Sequence, residues 1–274
     1  MAMRLHAKGR EIETVDDWFK FAGPKGKERQ WQDYRSAKEL ARAWCVAGKA
    51  VAIPTELFDL LESHPLTRGV DLRTLDGTPE LRVYIDRRAG EPRNTDLAFT
   101  ASIPSLEGDS GQPRRVAISV EAKADESFGQ RVAAAISAAE LRRSKGKRSF
   151  GDERARMLIG ALLGEAAVAD PAVGRLRYQL FTAAAGALAY ARDQRADIAV
   201  LVFHEFVHSA GLHTRASKLA ANCTDLNAFL DRFTQGVESS LKTDMLSGPF
   251  SIPGNADVPG SIPLLIGKVR KELP

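Results

Sequence analysis

Cysteine is nearly missing from this sequence: Cys45 and Cys223 are the two in 274 residues, far apart and in no Cys-x-x-Cys pair. A disulfide framework and a cysteine-ligated zinc site are therefore excluded, and a reducing, cytoplasmic setting fits best. Long apolar runs are missing too. None approaches the roughly 20 residues needed to span a bilayer, and the opening MAMRLHAKGREIE is polar, so neither a membrane helix nor a secretory signal is expected. There is no internal repeat and no low-complexity tract, which argues against a solenoid. Neither sign of charge dominates: 39 Lys and Arg against 35 Asp and Glu leave +4. That balance permits a nucleic-acid partner without requiring one.

What is present suffices for a core. Hydrophobic residues make up 44% and charged residues 27%, so wholesale disorder is ruled out. The length fits one large domain, or one domain with an appendage.

Helical spacing runs through VDDWFKFA (15–22), then RSAKELARAWCVAG (35–48), with Ser36 as N-cap and Gly48 as terminator, then PTELFDLLESH (54–64). The texture changes at LRVYIDRR (81–88), DLAFTASI (96–103) and RVAISVEAK (115–123), three segments rich in β-formers. SLEGDSGQP (105–113) reads as the hairpin connection between the last two. Helices return at 130–143, 152–167 and 177–194. DIAVLVF (197–203) is a short apolar run of the kind that forms a buried strand. A helix over 218–233 and a closing strand at SIPLLIGKVR (261–270) complete the order. The pattern predicts a mixed α/β (α+β) domain over 71–274 around one central sheet, with a helical extension over 1–70 packed on it.

Two constellations carry chemistry. In VAISVEAKADE, Glu121 and Lys123 are two apart, so on a strand they share a face. Asp96 heads the preceding strand and sits beside them if the two strands pair. Two carboxylates and a backbone carbonyl, that of Ala122, form a hard oxygen set suited to Mg²⁺ or Mn²⁺. A neighbouring lysine can orient an attacking water or offset charge on a phosphate. A helix that starts with Arg177 and Gln179 follows at a distance that lets it line the same cleft. Glu-x-Lys is common by composition, however, and a solvated strand face with an ion pair is the other reading.

The second constellation is HEFVH, where His204, Glu205 and His208 match the H-E-x-x-H zinc-peptidase pattern. Zinc binding requires a helix, which puts residues four apart on one face. On a strand the two histidines lie roughly 13 Å apart, too far to share a metal. The preceding DIAVLVF favours a strand. A third histidine is out of place as well: Thr214 holds its position and His213 comes one residue early, although Gly211 fits. Other features are blander. Glu56 could add a carboxylate ligand, and Asp125 and Glu126 could support the site or cap the next helix. The basic run LRRSKGKRSF is a phosphate-backbone contact or a solvated loop, and Trp18, Trp31 and Trp44 read as core.

The segments RSAKELARAW, RNTDLAF, VEAKADESFG, LRYQLFTAAAGAL, AVLVFHEF and IPLLIGKV together resemble the PD-(D/E)XK nuclease-like superfamily. Within it the chain looks like a group of bacterial proteins that have no assigned substrate. The likeness spans about residues 30 to 270. It implies a restriction-endonuclease-like core of helix, three strands, helix and strand, with a divalent-metal site at one edge of the sheet. Asp96 and Glu121 match its acidic metal ligands, Lys123 its lysine and Gln179 a polar residue on the helix behind the site. The implied activity is Mg²⁺- or Mn²⁺-dependent hydrolysis of nucleic acid, DNA in particular, with a homodimer suited to cutting both strands. One departure is that no proline immediately precedes Asp96; in EPRNTD, Pro92 stands four residues upstream. A nuclease-fold binding or regulatory module without turnover is the alternative.

Overall fold

Two largely apolar runs, VAISV and IAVLVF, lie side by side at the centre of the fold, buried on both faces as their composition requires. The computed structural model describes residues 3–86, 91–105, 111–208, 216–234 and 242–274. Among these, eight strands form one sheet: β1 (Arg4–Ala7), β2 (Arg10–Glu11), β3 (Asp71–Val83), β4 (Arg93–Ile103), β5 (Arg114–Lys123), β6 (Ile198–His208), β7 (Met245–Phe250) and β8 (Leu264–Leu273). Their spatial order is β2-β1-β3-β4-β5-β6-β8-β7. Strands β3, β4 and β5 form an antiparallel meander, and β6 and β8 then add in parallel. The architecture is the mixed, helix-flanked α+β sheet that the sequence implies.

Helices cover both faces. On one lie α1 (Val15–Ala22), α2 (Ser36–Trp44) and α3 (Thr55–Glu62), with Trp18 and Trp44 fully buried; Trp31 is partly buried against Phe19. On the other lie α4 (Val132–Ser144), α5 (Gly151–Leu163), α6 (Pro171–Gly174), α7 (Tyr178–Asp193) and α8 (Ala216–Thr234). Helix α7 is alanine-rich and buried almost all round, so it lies close on β4, β5 and β6. No described helix is long and apolar enough to cross a membrane.

Several boundaries differ from those read off the sequence. The first core strand, expected over 81–88, runs from Asp71 to Val83. Gly77 and Pro79 disguise its first half, since both are poor strand formers. Gly77 is required by close approach: a Cβ there would lie 2.7 Å from Leu5 Cδ2 and 2.9 Å from Phe99 Cβ, where β1 meets β3. The 1–70 extension is not helical alone, because β1 pairs with β3 and carries the sheet outward. Strand β7 was unforeseen as well; it is an edge strand, which tolerates its Pro249. Ser36 is not an N-cap but the first residue of α2, and Arg35 takes the cap position. That helix ends at Trp44, so Gly48 lies in the turn beyond it. The tip of the 105–113 connection, and Gly211, His213 and Thr214, lie outside the described residues.

Candidate functional site

The site begins where β4 and β5 stop pairing. Their ladder runs to Leu97↔Val120 and ends there. One step on, Asp96 stands opposite Glu121, and its Oδ2 accepts the Ala122 N–H at 2.8 Å in place of a backbone partner. A residue's N–H and C=O leave a strand on the same edge, so the Ala122 carbonyl also faces Asp96. On β3, Pro79↔Leu97 and Leu81↔Thr95 put Glu80 opposite Asp96. Three carboxylates, Glu80, Asp96 and Glu121, thus form a row across three adjacent strands. Glu80 holds a left-handed φ of 51° inside its strand, a conformation costly for a non-glycine residue, and strain of this kind clusters at functional sites.

Around this row the cations are built in. Lys123, two residues on from Glu121 and buried, donates from Nζ to Glu121 Oε1 at 3.0 Å and to Gln179 Oε1 at 3.4 Å. Gln179, in the first turn of α7, donates from Nε2 to the same Glu121 oxygen. Arg93 covers the other side: Nη2 bonds Glu121 Oε2, and Nη1 reaches Thr182 Oγ1 at 3.2 Å. Gly186 makes room for it, because a Cβ there would stand 2.6 Å from Arg93 Cδ. Asn94 bonds Glu80, and Glu126 accepts from Ser36 Oγ and, at 2.9 Å, from the Ala124 N–H. The carboxylate row, with Lys123, Gln179, Asn94, Glu126 and Ser36, lines a cavity of about 530 Å³ that is open to solvent.

The electrostatics follow from crowding. Burial raises the Asp96 carboxyl well above its ordinary range, and repulsion from Glu121 and Glu80 adds to this. Burial and the Glu121 charge push Glu80 up to about 7, against the pull of its Asn94 hydrogen bond. Burial also acts on Glu121, but Lys123 and Arg93 outweigh it and hold that carboxyl below its usual value. Lys123 is desolvated, yet Glu121, Asp96 and Glu126 keep it protonated more firmly than usual. All available donors are oxygens, which suits a hard cation such as Mg²⁺ or Mn²⁺. The carboxylates do not converge on one point as they stand: among the described residues no group of three or more His, Cys, Asp or Glu is disposed to hold a metal ion.

Asp96, Glu121, Ala122, Lys123 and Gln179 are brought together as the sequence implied. Arg177 is not. It bonds Asp225 at 2.7 Å and the Gly129 carbonyl, away from the cavity. Glu56 is not part of the site either: it lies under the other face of the sheet, 3.0 Å from His204 Nε2 and 3.4 Å from Lys271 Nζ. Asp125 and Glu126 do not cap α4; Asp125 pairs with Lys218. The HEFVH segment is strand throughout, so Glu205 projects to the face opposite His204 and His208. Glu205 pairs with Arg270 at 3.0 Å, and the His204 ring stacks on Phe206. The helix that zinc ligation needs is not there.

Sequence reasoning missed Glu80 and Arg93. Pro79-Glu80 lies before the strand start read from the pattern, and Arg93 lies before the one read for β4. The one available signal was Arg93, three residues ahead of Asp96 in RNTD.

No curated protein and no solved structure matches this chain. Residues 11–273 match DUF6946, a domain of unknown function, and with nearly its whole length covered the chain belongs to that family.

Proposed function

We propose that the chain is a Mg²⁺- or Mn²⁺-dependent nuclease of the PD-(D/E)XK kind, hydrolysing phosphodiester bonds in nucleic acid, with DNA the substrate to test first. The observation that carries this reading is the row of repelling carboxylates in an open cavity, with one protonated lysine hydrogen-bonded into it. Such a row is relieved by a cation. Asp96 and Glu121, with the Ala122 carbonyl, would hold the ion, which supplies Lewis-acid polarisation of a phosphoryl oxygen and an acidified water. The protein's own groups do the rest. Lys123, held protonated, acts through Nζ as a donor that steadies the nucleophilic water or the charge building on phosphate. Gln179 holds Lys123 and Glu121 in register, and Arg93 fixes the second Glu121 oxygen.

A second reading has its own support. Both oxygens of Glu121 are already satisfied by Arg93, Lys123 and Gln179, as a nuclease-fold binding module without turnover would allow. One experiment separates the two: cleavage of labelled DNA with Mg²⁺ or Mn²⁺, alongside calorimetric titration of the metal. Turnover that EDTA stops, and that Asp96→Asn and Lys123→Ala each reduce on the order of 10²-fold or more, supports the nuclease. Undiminished metal-dependent cleavage by Asp96→Asn would sink it. Binding without cleavage, indifferent to EDTA and to loss of Lys123, favours the module.

A further inference from the structure

A second cavity, of about 570 Å³, opens beside the first between the end of α1, the β1–β2 turn and the strands β3 and β4. The two adjoin, since Lys25, Glu80 and Asn94 line both. Its floor is apolar, formed by Phe21, Pro79, Leu81 and Pro92, whereas its rim carries the exposed cations Lys8, Lys25 and Arg82. Glu91, on the same rim, pairs with Lys25 at 2.8 Å and also feels the Arg82 charge, both in exposed contacts that a stronger anion displaces readily; among the described residues Lys8 makes no ion pair.

We infer that this second cavity is a subsite for single-stranded nucleic acid, holding the one or two nucleotides next to the phosphate at the carboxylate row. This rests on the function proposed above. An apolar floor within a cationic rim matches the two surfaces of a single strand: flat bases that stack on Phe21 and the prolines, and phosphates that pair with Lys8 and Arg82. A duplex fits poorly, because its base faces are already stacked and the recess admits roughly one or two unstacked bases, the size of a small-molecule pocket. The Asn94–Glu80 hydrogen bond marks the junction. A strand lying along the floor would cross this border to bring its next phosphate from the rim cations to the site.

The test uses the full chain in EDTA, so that nothing is cut, with a fluorescein-labelled single-stranded oligodeoxynucleotide of about twelve residues and its duplex as probes. Fluorescence anisotropy should show tighter binding of the single strand. The exposed double variant Lys8→Ala/Arg82→Ala should weaken that binding about tenfold at 0.1 M salt and flatten its salt dependence by about 1.4 in log–log slope, two phosphate contacts' worth. Unchanged affinity and slope in the double variant overturn the subsite, and so does equal or tighter binding of the duplex. The two proposals fail separately. If the double variant binds weakly while the wild type never cleaves with Mg²⁺ or Mn²⁺, the subsite stands and the nuclease falls. If cleavage requires Asp96 but the double variant binds like the wild type, the nuclease stands and the subsite falls.

Discussion

Glu80→Gln should stabilise the metal-free protein, and more so the higher the pH. In the fold the Glu80 carboxyl is pushed up to about 7 from an ordinary 4.5, first by burial and then by the Glu121 charge. A folded-state value above the unfolded one means the native protein holds the proton more tightly. Its contribution is complete below pH 4.5 and is lost as pH rises through about 7. At about 1.4 kcal/mol per tenfold difference in proton affinity, the raised Glu80 costs the fold about 3 kcal/mol at pH 8, where it must ionise, and about 1 kcal/mol at pH 5, where it keeps a proton that the unfolded chain releases. Glutamine keeps the shape and still accepts from Asn94, but never ionises. The variant should therefore melt roughly 6–12 °C above the wild type at pH 8 and only a few degrees above it at pH 5, at about 2–4 °C per kcal/mol for a chain of this size. Thermal melts followed by circular dichroism in EDTA at both pH values measure this directly. Mg²⁺ added at pH 8 should raise the wild type more than the variant, because the ion relieves the same repulsion. Parallel pH profiles for the two proteins would refute the idea that these carboxylates are crowded against one another.

Two further outcomes test the frame that holds the site. Phe203→Ala removes a buried ring that meets Phe128 edge-on at 5.3 Å and lies on β6 beside Glu121. It should lower stability by about 3–5 kcal/mol in urea denaturation, and a loss below about 1 kcal/mol would contradict the packing. Burial pushes the Glu56 carboxyl up, but the His204 hydrogen bond and the Lys271 charge draw it down to about 2. Its stabilisation is thus present above pH 4.5 and lost as pH falls through 2. Glu56→Gln should be less stable than the wild type at pH 7 and converge with it in acid, whereas a constant offset between the two urea curves would argue against the pairing.

The sequence by itself determined the elements whose patterning is local. VAISVEAK and AVLVFHEF are strands because their apolar runs must be buried on both sides, and that alone moves HEFVH off a helix. The two-residue spacing of Glu121 and Lys123 puts them on one face whatever the strand pairs with. Only the tertiary structure decided the register. That Glu80, Asp96 and Glu121 fall in one row depends on β3–β4 and β4–β5 pairing, which joins residues up to about 40 apart in sequence through hydrogen bonds the one-dimensional pattern does not encode. The same holds for Glu56, whose helical setting was legible but whose side of the sheet was not. It holds too for Arg93, whose place over Glu121 depends on a glycine in a helix 93 residues further on. Side-chain period is a property of the strand, but the neighbour across the ladder is set by the packing of the whole sheet.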